Sequence, residues 1–173
     1  RIQTLNNIAS HYWYLSYEDN GVHIIVDVVD DEIYTTTADT GMNDNIEFIL
    51  GMNTSNDSLA PNNSFNAMIT LGRNDQNWAQ QAKDYSSYGG NIYNNILANG
   101  TMVVNKKFTN RDADGFDGMT VEIFLNYSLW NVDKNTASGN MAILIGGRNN
   151  DENGNTLFRF FVEHGGIWNK VNT

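Results

Sequence analysis

The chain has 173 residues, of which 40% are hydrophobic and none is Cys, and its formal net charge is −10. This length suits one domain with a core that needs no disulfide, and the lack of Cys removes thiol redox chemistry. Only ten Lys and Arg oppose 20 Asp and Glu, which disfavours nucleic acid and anionic membrane surfaces as partners. No apolar run reaches the length of about 18 residues that membrane insertion needs. We expect residues 1–173 to form a single domain excised from a larger protein.

Apolar and polar residues alternate along most of the chain, which is typical of β-strands. Between the alternating runs lie clusters of Gly, Asn and Asp, which favour turns. Two short stretches, 78–85 (WAQQAKDY) and 127–130 (YSLW), predict helical turns instead. The predicted fold is therefore all-β, an antiparallel β-sandwich of jelly-roll or immunoglobulin-like two-sheet architecture with one or two short helical turns. The eight clearest runs are 11–17, 21–30, 43–50, 64–71, 100–108, 118–125, 141–147 and 156–164.

Four segments in order resemble the family 9 carbohydrate-binding modules, within the wider DOMON-like group of β-sandwiches. The resemblance covers roughly residues 10 to 168 and implies a non-catalytic glycan-binding domain. Such a domain would direct a larger extracellular or cell-surface bacterial protein, such as a glycoside hydrolase, to polysaccharide. The same group includes haem and lipid-type binders, and fold alone does not fix function. The segments are 12–34 (YWYLSYEDNGVHIIVDVVDDEIY), 43–51 (NDNIEFILG), 114–130 (DGFDGMTVEIFLNYSLW) and 141–154 (MAILIGGRNNDENG).

Two strand-like runs end in nearly the same way, at 69–75 (ITLGRND) and 143–151 (ILIGGRNND). If their strands run in the same direction, Arg73 and Asn74 share a rim with Arg148 and Asn149. Arg offers fixed donors, and Asn offers a donor and an acceptor, so these pairs could bind vicinal sugar hydroxyls. The alternative is two ordinary strand ends, with Asn in a turn and Arg paired to a carboxylate.

Two tryptophans are candidates for ligand contact: Trp78 lies in a polar stretch that offers it no evident core face, and Trp168 follows two glycines beyond the last predicted strand. Trp78 is followed by Tyr85 and Tyr88, and Trp168 lies near the end of the chain. A flat indole can pack on the apolar face of a sugar, and two can hold one ring between them. The resemblance implies such a clamp at Trp78 and Trp168, with Tyr85 or Tyr88 closing one side. The alternative for Trp168 is that it covers one end of the sandwich.

The segment 112–118 (DADGFDG) brings together three carboxylates, from Asp112, Asp114 and Asp117. Hard oxygen ligands beside glycines are typical of calcium loops, although the spacing is not that of an EF-hand. A structural calcium is therefore one interpretation, an acidic turn is the other, and no further cofactor is required. No catalytic motif is present, so we expect no enzyme activity in this chain. The alternative to glycan binding is a structural or protein-interaction sandwich with no ligand site.

Overall fold

The computed structural model describes residues 10–30, 33–35, 42–51, 64–72, 77–81, 97–98, 100–110, 117–130, 142–151 and 153–161. Within these ranges no helix is long and apolar enough to cross a membrane. Nine strands and one short 3-10 helix form there: β1 (Ser10–Tyr17), β2 (Gly21–Val29), β3 (Asn45–Gly51), β4 (Ser64–Thr70), β5 (Trp78–Gln81), β6 (Met102–Asn110), β7 (Asp117–Asn126), the 3-10 helix (Tyr127–Trp130), β8 (Ala142–Asn150) and β9 (Thr156–Phe161).

The strands form two sheets in which every pair is antiparallel. One sheet has four strands in the order β1-β2-β7-β6, and the other has five in the order β5-β4-β3-β8-β9. The predicted antiparallel β-sandwich is confirmed. Five of the seven strand pairs join consecutive strands, whereas the pairs β2–β7 and β3–β8 join strands that are distant in sequence. The register of each sheet therefore depends on long-range pairing, which the burial of one strand face specifies.

The core lies between the sheets and is formed by alternate residues of the central strands. Val22, Ile24, Val26 and Val28 of β2 are all fully buried, as the alternation predicts. The opposite sheet contributes the two largest fully buried side chains, Phe48 and Phe65. Three aromatic pairs run through the core with ring centroids 6.3 to 6.4 Å apart. Trp13–Phe48 joins the two sheets, Phe48–Phe65 lies within the five-stranded sheet, and Phe65–Trp130 joins that sheet to the 3-10 helix.

Trp130 anchors the 3-10 helix into this core. Its ring is buried, and its Nε1–H donates to the Leu50 carbonyl at 3.1 Å. A buried indole usually finds a hydrogen-bond acceptor, and this one lies on the facing sheet. The helical turn predicted at 127–130 is thus confirmed as a 3-10 turn.

Residues 78–81 are the clearest departure from the sequence-based expectation. They were predicted as part of a helical turn, and this is wrong, because they form strand β5 and pair with β4 from Phe65 to Met68. Ala and Gln favour helices by only a few tenths of a kcal/mol over most residues. Pairing with the edge of an existing sheet outweighs that preference. Residues 82–85 lie outside the described residues.

One lysine crosses between the sheets at the edge strand β6. Lys106 Nζ donates to the Thr70 carbonyl at 2.5 Å and to Asn77 Oδ1 at 2.8 Å. Asn77 Oδ1 also accepts the Thr70 N–H at 3.0 Å. This inward-facing charge closes the end of the core and marks the edge of the sheet, where natural proteins often place lysines.

Candidate functional site

The start of β3 and the ends of β4 and β8 lie at the same end of the five-stranded sheet, which we call the rim. Both β4 and β8 are antiparallel to β3, so they run in the same direction on either side of it. Asn45 consequently pairs with Thr70 on one side and with Arg148 on the other. The ends of these two strands thus lie on either side of the start of β3, as predicted, whereas Arg73 and Asn74 lie outside the described residues. After β4 the chain turns at Gly72, whose φ of 74° is one that glycine adopts without strain.

Asp44 holds this rim together. Its Oδ1 accepts the Asn150 N–H at 2.6 Å and Asn150 Nδ2 at 3.1 Å, and its Oδ2 accepts the Tyr34 N–H at 2.6 Å. Its own carbonyl accepts the Leu71 N–H at 2.8 Å. Since Asp44 is fully buried, these bonds lie away from water and fix the two strand ends relative to each other.

Arg148 and Asn149 are neighbours in β8 but take different surroundings. The half-buried Arg148 donates from Nη1 to Met42 Sδ at 3.2 Å, and Met42 is 40% exposed. The Asn149 amide is buried and donates from Nδ2 to Asp30 Oδ2 at 3.2 Å. Successive strand residues point to opposite faces, so the structure does not bring this Arg and this Asn to one surface. Arg148 lies on the same side of β8 as the contact with Met42, whereas the amide of Asn149 bonds to Asp30 on the other side.

The outer face of the five-stranded sheet carries polar residues that are buried. Because Ile46, Phe48 and Leu50 point into the core, the intervening residues of β3 point away from it. Glu47 lies opposite Met68 and Gly146, and Ile49 lies opposite Asn66 and Leu144. We define this outer face by nine residues: Asn45, Glu47, Ile49, Asn66, Met68, Thr70, Leu144, Gly146 and Arg148. Glu47 is 2% exposed and Asn66 is 0% exposed, whereas Met68 and Arg148 are partly exposed.

Asn66 is unusual among these residues. Neither its Oδ1 nor its Nδ2 has a hydrogen-bond partner within the described part of the chain, although both atoms are buried. A buried polar group without a partner costs about 1–3 kcal/mol, and native structures contain few of them. Asn66 lies on β4, next to β3, which carries Glu47. Its amide is therefore a preformed pair of hydrogen-bond donor and acceptor on this face.

Trp78 occupies a register position in the same sheet. Its backbone pairs with Met68, which pairs with Glu47, which in turn pairs with Gly146. The first tryptophan of the predicted clamp is therefore in line, along one row of backbone positions, with the carboxylate-bearing Glu47. The other members of the predicted site, Arg73, Asn74, Tyr85, Tyr88 and Trp168, lie outside the described residues, and their roles stay predictions.

The predicted calcium loop is described only at its last member. Asp117 begins β7 and pairs with Asn110, while Asp112 and Asp114 lie outside the described residues. Within the described ranges, no group of three or more His, Cys, Asp or Glu residues could hold a metal ion. Calcium binding at residues 112–117 stays a prediction.

Sequence reasoning did not select Glu47 or Asn66 as site residues. The alternation in NIEFIL does place Glu47 on the outward face, and the structure confirms that face. Nothing in the pattern SFNAMIT distinguishes Asn66 from a solvent-facing strand residue. Its burial and its lack of partners become visible only in the structure.

Comparison with known proteins gives similarity in fold alone. No family model and no curated protein matches the sequence. Among solved structures, a family 9 carbohydrate-binding module from Caldicellulosiruptor kristjanssonii in complex with glucose aligns with a TM-score of 0.56 and 12% identity, over 90% of this chain and 66% of that one. A structure of such a module from the same organism in complex with cellotriose aligns with the same score and identity, over 90% of this chain and 65% of the other. This chain thus spans just under two thirds of the length of the chains it resembles.

Proposed function

We propose that this chain is a non-catalytic carbohydrate-binding domain whose site is the outer face of the five-stranded sheet. The observation that carries the proposal is the buried Asn66 amide without a partner. It lies on the sheet face that also carries Glu47, and the backbone of Trp78 is in cross-strand register with Glu47 through Met68. The similarity in fold to modules solved with glucose and with cellotriose supports the same ligand class.

The chemistry of this face suits sugar hydroxyls, each of which both donates and accepts. Glu47 accepts, the Asn66 amide does both, and Arg148 donates from the rim. Met68 and Arg148 are the partly exposed members of the outer face, so a ligand would enter between them. We further propose that the indoles of Trp78 and Trp168 hold the ring between them, as apolar sugar faces pack on flat aromatic rings.

The remaining predicted contacts complete this proposal. Arg73 and Asn74 would add donors and an acceptor beside the shared rim, and Tyr85 or Tyr88 would close one side. The biological role we propose is to direct a larger secreted bacterial protein to polysaccharide outside the cell. Other domains of that protein would then be the covalently linked partners.

The expected affinity is modest. Two stacked rings give roughly 1.5–3 kcal/mol each, and each hydrogen bond adds a net 0.5–1.5 kcal/mol, approximately. Association itself costs at least about 4 kcal/mol. The balance corresponds to dissociation constants in the micromolar to millimolar range, which serves a protein that is tethered or has several binding modules.

A structural or protein-interaction sandwich is the second candidate function. One observation favours it: Ile49 and Asn66 have no exposed surface, and Leu144 is only 4% exposed. A sheet face this well covered is what a purely structural module would show. Under this alternative the face binds no sugar, and its polar residues are tolerated at a cost in stability.

Calorimetric titration with soluble glycans, including glucose and cellotriose, separates the two functions. We expect binding by the wild-type chain and a loss of at least about tenfold in affinity for Trp78→Ala, because tenfold corresponds to about 1.4 kcal/mol and one stacked ring contributes at least about that much. Asn66→Leu should weaken binding similarly, since it keeps the branched shape of the side chain and removes the amide. The matched control is Asn105→Leu, in the exposed outward position of β6 on the other sheet, which should bind as wild type.

Two results would contradict the proposal. Absence of binding by the folded wild-type chain to any glycan of the panel would favour the structural module. Equal affinities for wild type, Trp78→Ala and Asn66→Leu would show that sugar binds elsewhere on the molecule.

A further inference from the structure

The strand β1 forms one edge of the four-stranded sheet. Among the strands that the structure describes it pairs with β2 alone, over eight residues and without a bulge. Natural proteins usually protect such an edge with charged residues, proline, a bulge or a very short strand. The sequence of β1, SHYWYLSY, contains no Lys, Arg, Asp, Glu or Pro. This edge is therefore open to the addition of another strand.

The other edge strands carry the protection that β1 lacks. At the opposite edge of the same sheet, β6 contains Lys106 and Lys107. In the five-stranded sheet, β5 has only four residues and β9 contains Arg159. This contrast distinguishes β1 from the three other edges in the described part of the chain.

The backbone of β1 alternates between groups that bond to β2 and groups that face away from it. The Glu18 N–H donates to the Gly21 carbonyl at 2.9 Å in the turn that joins the two strands. Hydrogen-bonded and non-hydrogen-bonded pairs alternate along an antiparallel ladder. Counted from this turn, Leu15 and Trp13 form non-hydrogen-bonded pairs with their partners in β2. Their N–H and C=O groups therefore point towards the edge.

Apolar side chains on both sides of this edge are incompletely buried. Trp13 and Leu15 point inward and pack against the core, but both keep some exposed surface. Tyr14 points to the opposite side of the strand and is 57% exposed, with the partly exposed Tyr12 next to it on that side. An added strand would cover apolar surface on both sides of β1, and this burial favours association.

We propose that β1 pairs antiparallel with β1 of a second copy of this chain, about a twofold axis at Tyr14. The two four-stranded sheets then form one continuous sheet. In this register Trp13 exchanges backbone hydrogen bonds with the partner's Leu15, and Leu15 does so with the partner's Trp13. Tyr14 lies opposite the partner's Tyr14 in a non-hydrogen-bonded pair, the arrangement that brings facing side chains closest.

A second copy fits this edge because a strand without charged residues can face itself. The chain has a net charge of −10, and like charges directly opposite each other in a sheet are destabilising. Self-pairing of β1 places no such charges opposite each other, and twofold dimers are the commonest symmetric oligomers. One strand offers a small interface, so we expect a weak dimer. It uses the sheet opposite to the proposed sugar site and does not depend on that function.

Sedimentation equilibrium between about 10 µM and about 1 mM tests the dimer. We expect a reversible monomer–dimer equilibrium that strengthens with added salt, because salt screens the repulsion between two chains of charge −10. Tyr14→Lys should weaken the association about tenfold, since it removes the aromatic pair and places two lysines opposite each other. The matched control is Val103→Lys, because Val103 is 41% exposed on the outward side of β6, at the opposite edge of the sheet. It adds the same charge and should associate at least as well as the wild type.

A charge-swap experiment tests the axis itself. Tyr14→Glu should also associate weakly, whereas an equimolar mixture of Tyr14→Lys and Tyr14→Glu should regain association, because Lys then lies opposite Glu. Amide hydrogen exchange gives a measurement that needs no variant. The N–H groups of Trp13 and Leu15 should exchange more slowly as the concentration of the wild-type chain rises.

A monomer at every concentration would overturn the proposal, and so would equal association by the wild type and Tyr14→Lys. Slow exchange of the Trp13 and Leu15 N–H groups at the lowest concentration would mean that the chain covers this edge itself. A mixture that associates no better than either variant alone would exclude an axis at Tyr14. Weakening by salt would indicate attraction between opposite charges, and therefore a different interface.

Discussion

Removal of the Asp44 carboxylate should loosen the rim on which the proposed site is built. Asp44→Ala leaves three donors without their acceptor: the Tyr34 N–H, the Asn150 N–H and Asn150 Nδ2. Each buried donor left without a partner costs about 1–3 kcal/mol. Because the two donors of Asn150 can share a water, we expect a total loss of about 3–5 kcal/mol in the free energy of unfolding. For a domain of this size that corresponds to a fall of about 10 °C in Tm.

Asp44→Asn gives a second measurement if the alanine variant fails to fold. The amide keeps one acceptor oxygen but turns its NH2 group toward a backbone donor, so we expect a loss of about 2 kcal/mol. Asp27→Asn is the matched control. Asp27 Oδ1 accepts the Thr120 hydroxyl at 3.1 Å on the four-stranded sheet, and a hydroxyl can donate or accept. That change should cost less than about 1 kcal/mol.

Urea denaturation followed by tryptophan fluorescence measures these differences. The reasoning would be refuted if Asp44→Ala unfolded within about 1 kcal/mol of the wild type, or if Asp27→Asn lost as much stability as Asp44→Asn. The first result would show that water replaces the carboxylate at no cost. The second would show that other aspartates in the sandwich have the same effect, so that the bonds of Asp44 to the rim contribute no particular stability.

Three further predictions concern acid, charge and metal. Burial lowers the pKa of His11 from 6.5 to about 4. Between these two pH values only the unfolded chain gains a proton, so the free energy of unfolding decreases as the pH is lowered from 6.5 towards 4. The loss should reach about 2 kcal/mol near pH 5 relative to neutral pH in urea melts, and His11→Leu should remove most of it, while an unchanged pH profile in that variant would contradict the assignment. Lys106→Met should lower the free energy of unfolding by about 1–2 kcal/mol in urea melts, because it loses the bonds to the Thr70 carbonyl and Asn77. Lys107→Met, at an exposed position, should cost almost nothing. Equal midpoints for the two variants would argue that the Lys106 bonds do not stabilise the fold. Excess chelator should lower Tm by several degrees if residues 112–117 hold calcium. An unchanged Tm would contradict calcium binding there.

The strands that sequence predicted well are those with strict alternation. In β2, four apolar residues at every second position face the core and are fully buried. The same reasoning failed at β5, because WAQQ has no alternation and its Ala and Gln favour helix. That segment forms a strand because it pairs with β4. The local sequence pattern does not show which other segment it will pair with.

The site was predictable only in outline. The two similar segments suggested a shared rim, and the ends of β4 and β8 do lie on either side of the start of β3. That strand order could not be deduced from the segments themselves. Placing Asn149 beside Arg148 on one surface ignored the alternation of strand faces, and its amide bonds to Asp30 on the inner side. Asn66 carried no signal at all, since the segment SFNAMIT gives no sign that this outward position is buried.

The unpartnered Asn66 amide also distinguishes the two functions through stability. In a purely structural sandwich nothing favours a buried polar side chain there, and selection for stability alone would replace it with an apolar residue of similar volume. Asn66→Leu should therefore raise the free energy of unfolding by about 1–2 kcal/mol, because it removes a desolvation cost and leaves no donor or acceptor behind. A variant that gains stability and loses sugar affinity would show that the amide is retained for binding. A variant that loses stability would mean that the amide is satisfied by water in solution, and the central argument for the site would fail.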